Sequence, residues 1–136
     1  MVDKKVMLST AWLFAILNYL YCDIVGLMDS SLLAQFLTGT VGGIEMTRGF
    51  LLGASILMEI PIAMVLLSRT LEYRANRLSN IVAGLVMTVV QASSIVFGAS
   101  PAGYYVFFSA VEISCTLFVV WYAWRWVAPQ DERQST

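Results

Sequence analysis

The sequence predicts an all-α membrane fold, a four-transmembrane-helix antiparallel bundle with a short interfacial helix between the first two spans. Three observations point to it. Four long apolar stretches occupy most of the 136 residues. Hydrophobic residues make up 59% of the chain and charged residues only 12%, about half the charged share of a soluble domain. The basic residues gather at the ends and in one loop, as they do where short loops are retained on one side of a membrane. Residues 1–136 are read as a single integral membrane domain.

A hydrocarbon core of roughly 30 Å needs about 20 helical residues at 1.5 Å each. Residues 6–28, 47–68, 80–98 and 104–127 meet that length. Lys4 and Lys5 precede the first stretch as they would a signal peptide. That stretch is long, carries Asp23 near its end and lacks an Ala-x-Ala cleavage pattern, which predicts an uncleaved helix. Asp29, Ser30 and Ser31 can then cap a new helix, in which Leu32, Leu33, Phe36 and Leu37 recur at helical spacing; it is expected to lie in the membrane interface. Thr38 to Gly43 contains three glycines and is expected to form a flexible connector. Thr40, Val41 and Gly42 resemble the pore loop of potassium channels, but Gly43 and Ile44 stand where that loop continues with an aromatic and a glycine. A carbonyl ion filter is therefore not the reading adopted.

In the second stretch Pro61 follows Glu59 by two residues, so a backbone hydrogen bond is lost and the helix can bend there. Residues 69–77, with Arg69, Arg74 and Arg77, are expected to form a compact turn whose arginines can meet anionic headgroups. Ser100, Pro101, Ala102 and Gly103 punctuate the next turn. Trp121, Tyr122, Trp124 and Trp126 crowd the end of the last stretch, as an interfacial belt does.

Lys4, Lys5, Arg69, Arg74, Arg77, Arg125 and Arg133 fall on one side of this topology and only Arg48 on the other, which predicts cytoplasmic N- and C-termini. The partner expected from this composition is the lipid bilayer. Nucleic acid is not, since no recognition motif accompanies the basic residues. The chain has no histidine and two isolated cysteines, Cys22 and Cys115, which argues against zinc, copper and haem; calcium or sodium on oxygen ligands stays open. No cofactor and no metal ligands are assigned. The cysteines are read as small apolar packing residues.

Asp23, Glu59 and Glu112 lie well inside apolar stretches. Hydrocarbon makes an ionised carboxylate costly, so such residues are candidates for a functional site. Helical spacing puts Arg48, Leu52, Ser55 and Glu59 on one face of the second span, and Tyr105, Ser109, Glu112 and Thr116 on one face of the fourth. Trp12, Tyr19 and Asp23 share a face of the first span; Thr88, Gln91 and Ile95, with Ser94 close by, share one of the third. Counting along the helices places Glu59 near the midplane, Glu112 and Gln91 about 10 to 12 Å below the outer end, and Asp23 about 7 to 8 Å below it. An outward-open funnel floored by Glu59 follows if all these faces look inward. Carboxylates sharing such a pocket cannot all stay ionised, so at least one is expected to hold a proton at neutral pH.

The leading functional expectation is a ligand- or proton-binding site made of Glu59, Glu112, Asp23, Gln91, Arg48, Ser109 and Tyr105. It would take a proton or a small cationic or polar solute, and transport would call for a homo-oligomer. Asp23 would recruit at the mouth, Arg48 would tune the charge, and Gln91, Ser109 and Tyr105 would supply hydrogen bonds. The competing expectation is a non-catalytic scaffold or accessory subunit whose acids serve helix packing or partner recognition. An enzyme is the weaker class: two acids can do general acid–base work, but no histidine, serine triad or metal motif accompanies them, and no catalytic residue is assigned. Gly49-x-x-x-Gly53 is expected to pack within its own bundle.

Residues 17–23 (LNYLYCD), 38–43 (TGTVGG), 49–69 with their Met58-Glu59-Ile60-Pro61 core, 73–77 (YRANR) and 121–126 (WYAWRW) resemble a family of small, uncharacterised bacterial four-helix membrane proteins, a domain of unknown function. The resemblance spans nearly the whole chain. It implies a four-helix fold in a bacterial cytoplasmic (inner) membrane and supplies no activity. A looser similarity to DoxX-like membrane proteins implies a redox association at the level of fold alone.

Overall fold

The computed structural model describes residues 2–98 and 101–128. Arg133 and Ser100, used above for topology and for the last turn, lie outside them. Along the chain come α1 (Lys4–Met28), α2 (Ser30–Thr38), the two-residue strands β1 (Thr40–Val41) and β2 (Ile44–Glu45), α3 (Arg48–Thr70), α4 (Tyr73–Phe97) and α5 (Gly103–Trp124). The described residues are thus mainly helical, and α1, α3, α4 and α5 are each long and apolar enough to cross a membrane. This is compatible with a multi-pass membrane protein.

Side-chain caps mark several boundaries. The Asp3 carboxylate accepts from the Lys5 amide at the start of α1, and Thr47 Oγ1 accepts from the Phe50 amide at the start of α3. Asp29 ends α1 and starts α2, accepting from the amides of Ser31 at 3.0 Å and Leu32 at 3.4 Å, which satisfies two donors a helix start leaves free. The glycine-rich connector is more ordered than expected. Gly39 closes α2 in the left-handed region at φ 78°, and Gly42 (56°) and Gly43 (81°) turn a small hairpin with Thr40 opposite Glu45 and Val41 opposite Ile44. Two consecutive positive φ values are what a tight hairpin turn requires and what a side chain resists. Gln35 secures the hairpin by accepting from the Gly42 amide at 2.9 Å.

α4 begins at Tyr73, not near residue 80, so most of the expected arginine-rich turn is helix. The reason lies in Asn76, whose Nδ2 donates to the carbonyls of Ser68 (2.6 Å) and Leu71 (3.2 Å) at the end of α3. A polar residue that looked like loop is used to tie two helix ends together. Only Leu71 and Glu72 separate α3 from α4. α3 itself continues as helix through Pro61, which is buried in the bundle.

One stripe of each long helix is buried: Leu8, Trp12, Ala15, Tyr19, Cys22 and Gly26 on α1; Pro61, Met64 and Ser68 on α3; Asn76, Asn80, Ala83, Gly84 and Met87 on α4; Ser109, Glu112, Thr116, Val119 and Ala123 on α5. Their spacing of three and four residues is that of a single helix face. α1 packs on α3 and α5, and α5 on α4. At the α4–α5 contact a Cβ on Gly84 would stand 2.6 Å from Val120 Cγ2, so glycine permits the close approach of these helices.

The start of α1, the α3–α4 turn and the end of α5 meet at one end, here called the terminal end. Lys5 Nζ donates to the Leu71 carbonyl, the Tyr73 hydroxyl to the Trp126 carbonyl, and Arg77 Nη2 to the Trp124 carbonyl. At the opposite end Tyr104 donates to Asp29. Trp126 is a correction to the aromatic belt: Trp121 and Trp124 are exposed, but Trp126 is buried, packed edge-on against Tyr73 at 5.3 Å.

Candidate functional site

Of the seven residues singled out from the sequence, the structure brings four together along α4 and α5. Gln91 Nε2 donates to Ser109 Oγ at 2.7 Å, and Tyr105 and Ser94 share a 2.7 Å hydroxyl bond. A third rung joins Thr88 to Thr116, also at 2.7 Å. These rungs line the α4–α5 seam, and Glu112 sits between the Ser109 and Thr116 levels on the same face of α5. The expected inward stripes of the third and fourth spans are therefore observed.

Glu112 is 1% exposed, and neither carboxyl oxygen has a hydrogen-bond partner among the described residues. The buried Tyr19 hydroxyl on α1 is likewise without one. Both residues lie nine positions from the end of their helix away from the terminal end, which places them at one depth, about 13 to 14 Å in. Glu112 is thus a buried acid whose hydrogen-bonding capacity is unspent inside its own fold.

The other three residues do not join it. Glu59 and Arg48 are exposed on α3, and Asp23 is exposed on α1. A funnel floored by Glu59 is therefore not what the chain builds. The face reading Arg48, Leu52, Ser55, Glu59 exists, but it looks outward; the inward stripe is Pro61, Met64 and Ser68, all in the half of α3 nearest α4. Gly49 and Gly53 also face outward, with no neighbouring element within 4 Å of a Cβ built on either, contrary to the expectation that they pack internally. On α1 the phase is off by one residue near its end, so that Cys22 is buried and Asp23 is not. An open apolar groove of about 660 Å³ between α1 and α5, walled by Phe14, Phe107 and Phe118, contains none of the seven.

A second polar cluster near the terminal end was not anticipated. Asn80 Oδ1 accepts from Trp12 Nε1 at 2.8 Å and from Ser68 Oγ at 3.1 Å, while its Nδ2 donates to the Asn76 side chain at 2.8 Å. Asn76, Asn80 and Ser68 are fully buried. Ser9 Oγ adds a bond to the Val65 carbonyl at 2.7 Å. The signal that could have found this cluster is the i, i+4 asparagine pair, which puts two amides on one helix face. Because its polar groups are paired, this cluster locks α1, α3 and α4 together rather than offering a site. Between it and Glu112 lie Ala15, Met64, Ala83, Met87 and Val119, a buried apolar layer.

Outside the spans, Asp29 is the group with a perturbed acidity. Bonds from the Ser31 hydroxyl and amide, then from the Leu32 amide, hold its carboxyl below the usual carboxylate range, since each favours the ionised form. No group of three or more histidine, cysteine or acidic residues is placed to hold a metal among the described residues.

The family model described as "Family of unknown function (DUF6326)" matches residues 2–134, and the chain belongs to that family. No curated protein and no solved structure matches it. A relation to DoxX-like proteins is accordingly not shown.

Proposed function

We propose that this member of the family is a multi-pass membrane protein in which Glu112 takes up and releases a proton from the membrane face where α2 and the hairpin lie. One observation supports this most: Glu112 is buried within a helix long and apolar enough to span a membrane, with both oxygens unpartnered among the described residues. An acid kept for packing would be bonded across a helix interface, as Gln91 and Thr116 are. An acid that exchanges a proton must instead be able to exist without a fixed partner and gain one transiently. The Tyr19 hydroxyl, at the same depth and also unpartnered among the described residues, is the group assigned to relay or share that proton.

Access is asymmetric in this reading. Toward α2 the neighbourhood of Glu112 carries Ser109, Gln91, Ser94 and Tyr105, with Asp23 exposed about 7 to 8 Å from the end of α1 as the recruiting acid. Toward the terminal end the apolar layer of Met64, Ala83, Met87 and Val119 intervenes. A proton needs no room beyond the carboxyl itself, which favours it over a solute at a residue this enclosed. The positive-inside pattern supports a cytoplasmic terminal end, and with that orientation exchange would occur with the outside of a bacterial inner membrane.

The test is proton binding by the protein reconstituted in lipid nanodiscs, followed with a pH-sensitive dye in the surrounding medium. The wild type takes up protons on an acid jump in proportion to protein, Glu112→Gln does not, and Glu59→Gln does. Equal uptake by the wild type and Glu112→Gln would end the proposal.

A second reading, the scaffold or accessory subunit, is favoured by α3. Only 11% of its most apolar window is buried, against 22% to 33% for the other spans. Its outward face carries Glu59, about 16 to 17 Å from the helix start and hence near mid-bilayer, where a lone acid calls for a partner. A helix of another subunit, a second copy included, would supply one beside the open Gly49 and Gly53. Cysteine cross-linking at Ile56, with Glu59→Leu and Gly53→Leu as disrupting variants, decides it: cross-links that survive both variants would exclude this face.

A further inference from the structure

We propose that the pocket between the start of α4 and the end of α5 holds the phosphate of an anionic lipid headgroup, with Arg74 and Arg77 as its ligands. The pocket, about 290 Å³, is lined by Tyr73, Arg74, Arg77, Leu78, Ile81 and Trp124. The five α4 residues share one helix face. Their order along it matters: the two arginines lie at the helix start, and Ile81 lies about 6 Å deeper than Arg77 toward the membrane interior. A charged head above an aliphatic wall is the pattern of a phospholipid.

Arg77 is held ready. Its Nη2 donates to the Trp124 carbonyl at 3.0 Å, and its guanidinium stands 5.9 Å from the Trp124 ring centre, an aromatic contact that favours arginine. Its Nε is buried and has no acceptor among the described residues. The terminal guanidinium N–H groups not spent on the Trp124 carbonyl are the donors that a phosphate oxygen can take with charge-assisted bonds. Arg74 is exposed at the rim, and no carboxylate pairs with either arginine among the described residues.

The pocket wall is rigid for a surface site. The Tyr73 hydroxyl donates to the Trp126 carbonyl at 2.7 Å and its ring packs edge-on to Trp126, so the end of α5 is fastened to the start of α4. The sign of the helix dipole helps too. No side chain caps α4, and the positive end of its macrodipole opens at the pocket. A zwitterionic headgroup brings its own cation and gains less from this arrangement than an anionic one.

The full chain in detergent, titrated with brominated-chain phosphatidylglycerol or phosphatidylcholine, reports occupancy as quenching of the tryptophan emission that Trp124→Phe removes. The expected result is a clear preference for phosphatidylglycerol, reduced about fivefold in Arg74→Gln and again about fivefold in Arg77→Gln. Arg74 makes no contact that folding needs, so that variant stays informative even if Arg77→Gln is unstable; Arg77→Lys should keep part of the preference. Inorganic phosphate that displaces phosphatidylglycerol at comparable concentration would identify a soluble phosphate ligand for the same arginines, whereas weak displacement identifies the lipid. Equal affinity for both lipids, or a preference untouched by Arg74→Gln and Arg77→Gln, would overturn the assignment.

Discussion

Replacing Glu112 by methionine is expected to stabilise the fold while abolishing the proton site. A neutral carboxyl at this position leaves one donor and one acceptor unmet, because both oxygens are buried and unpartnered among the described residues. Each unmet buried group costs about 1–3 kcal/mol, and a volume-conserving swap costs under about 1.5 kcal/mol of its own. Methionine is similar in length and has no strong hydrogen-bonding atom to leave unmet, so a net gain of about 1–4 kcal/mol is expected. Glutamine keeps the same unmet groups and should stay near the wild type. The assay is equilibrium unfolding in mixed micelles followed by helical circular dichroism. A loss of stability in both variants would show that the carboxyl holds helices together, and the proton-exchange reading would lose its main support.

Other consequences can be checked in the same system. Asn80→Leu strips acceptors from Trp12 Nε1 and Ser68 Oγ and a donor from Asn76; a loss of about 3 kcal/mol or more is expected, visible as a lower unfolding midpoint. Gly84→Ala drives a methyl to 2.6 Å from Val120 Cγ2 and 3.2 Å from the Thr116 carbonyl oxygen; it should cost about 1–3 kcal/mol, and Val120→Ala should restore part of that. The Asp29 carboxyl, held below its ordinary range chiefly by Ser31, favours folding above the unfolded-state value. That contribution is lost as pH falls through the lowered folded value. Amide protection factors at Ser31 and Leu32, taken relative to the intrinsic exchange rate at each pH, should therefore fall at acid pH in the wild type and already at neutral pH in Asp29→Ala.

The spans were legible because about 20 apolar residues in a row have few other uses, and Asp29 was legible because capping needs a short acceptor at a defined place. Helix phase was the harder matter. In a bilayer the lipid-facing side is as apolar as the core, so Leu52, Ile56 and Leu66 can be exposed on α3 while Met64 is buried, and hydrophobicity alone does not say which way Glu59 points. On α5 the small polar residues Ser109 and Thr116 beside Glu112 did fix the phase, because hydroxyls in a span usually seek another helix. Asn76 and Asn80 were hidden for the opposite reason. Arg74 and Arg77 made the segment around Asn76 read as loop, so that Asn80, at the start of the third span, was left without its i−4 partner; the carbonyls of Ser68 and Leu71, which end a different helix, explain why that segment is helix.

The central claim concerns the proton on Glu112, and infrared difference spectroscopy of the reconstituted protein tests it most directly. At neutral pH the wild type should show a carboxylic-acid carbonyl band that Glu112→Gln removes, Glu59→Gln leaves in place, and an alkaline jump converts to carboxylate. A Glu112 that is already ionised at neutral pH, or a band that never responds to pH, would contradict it.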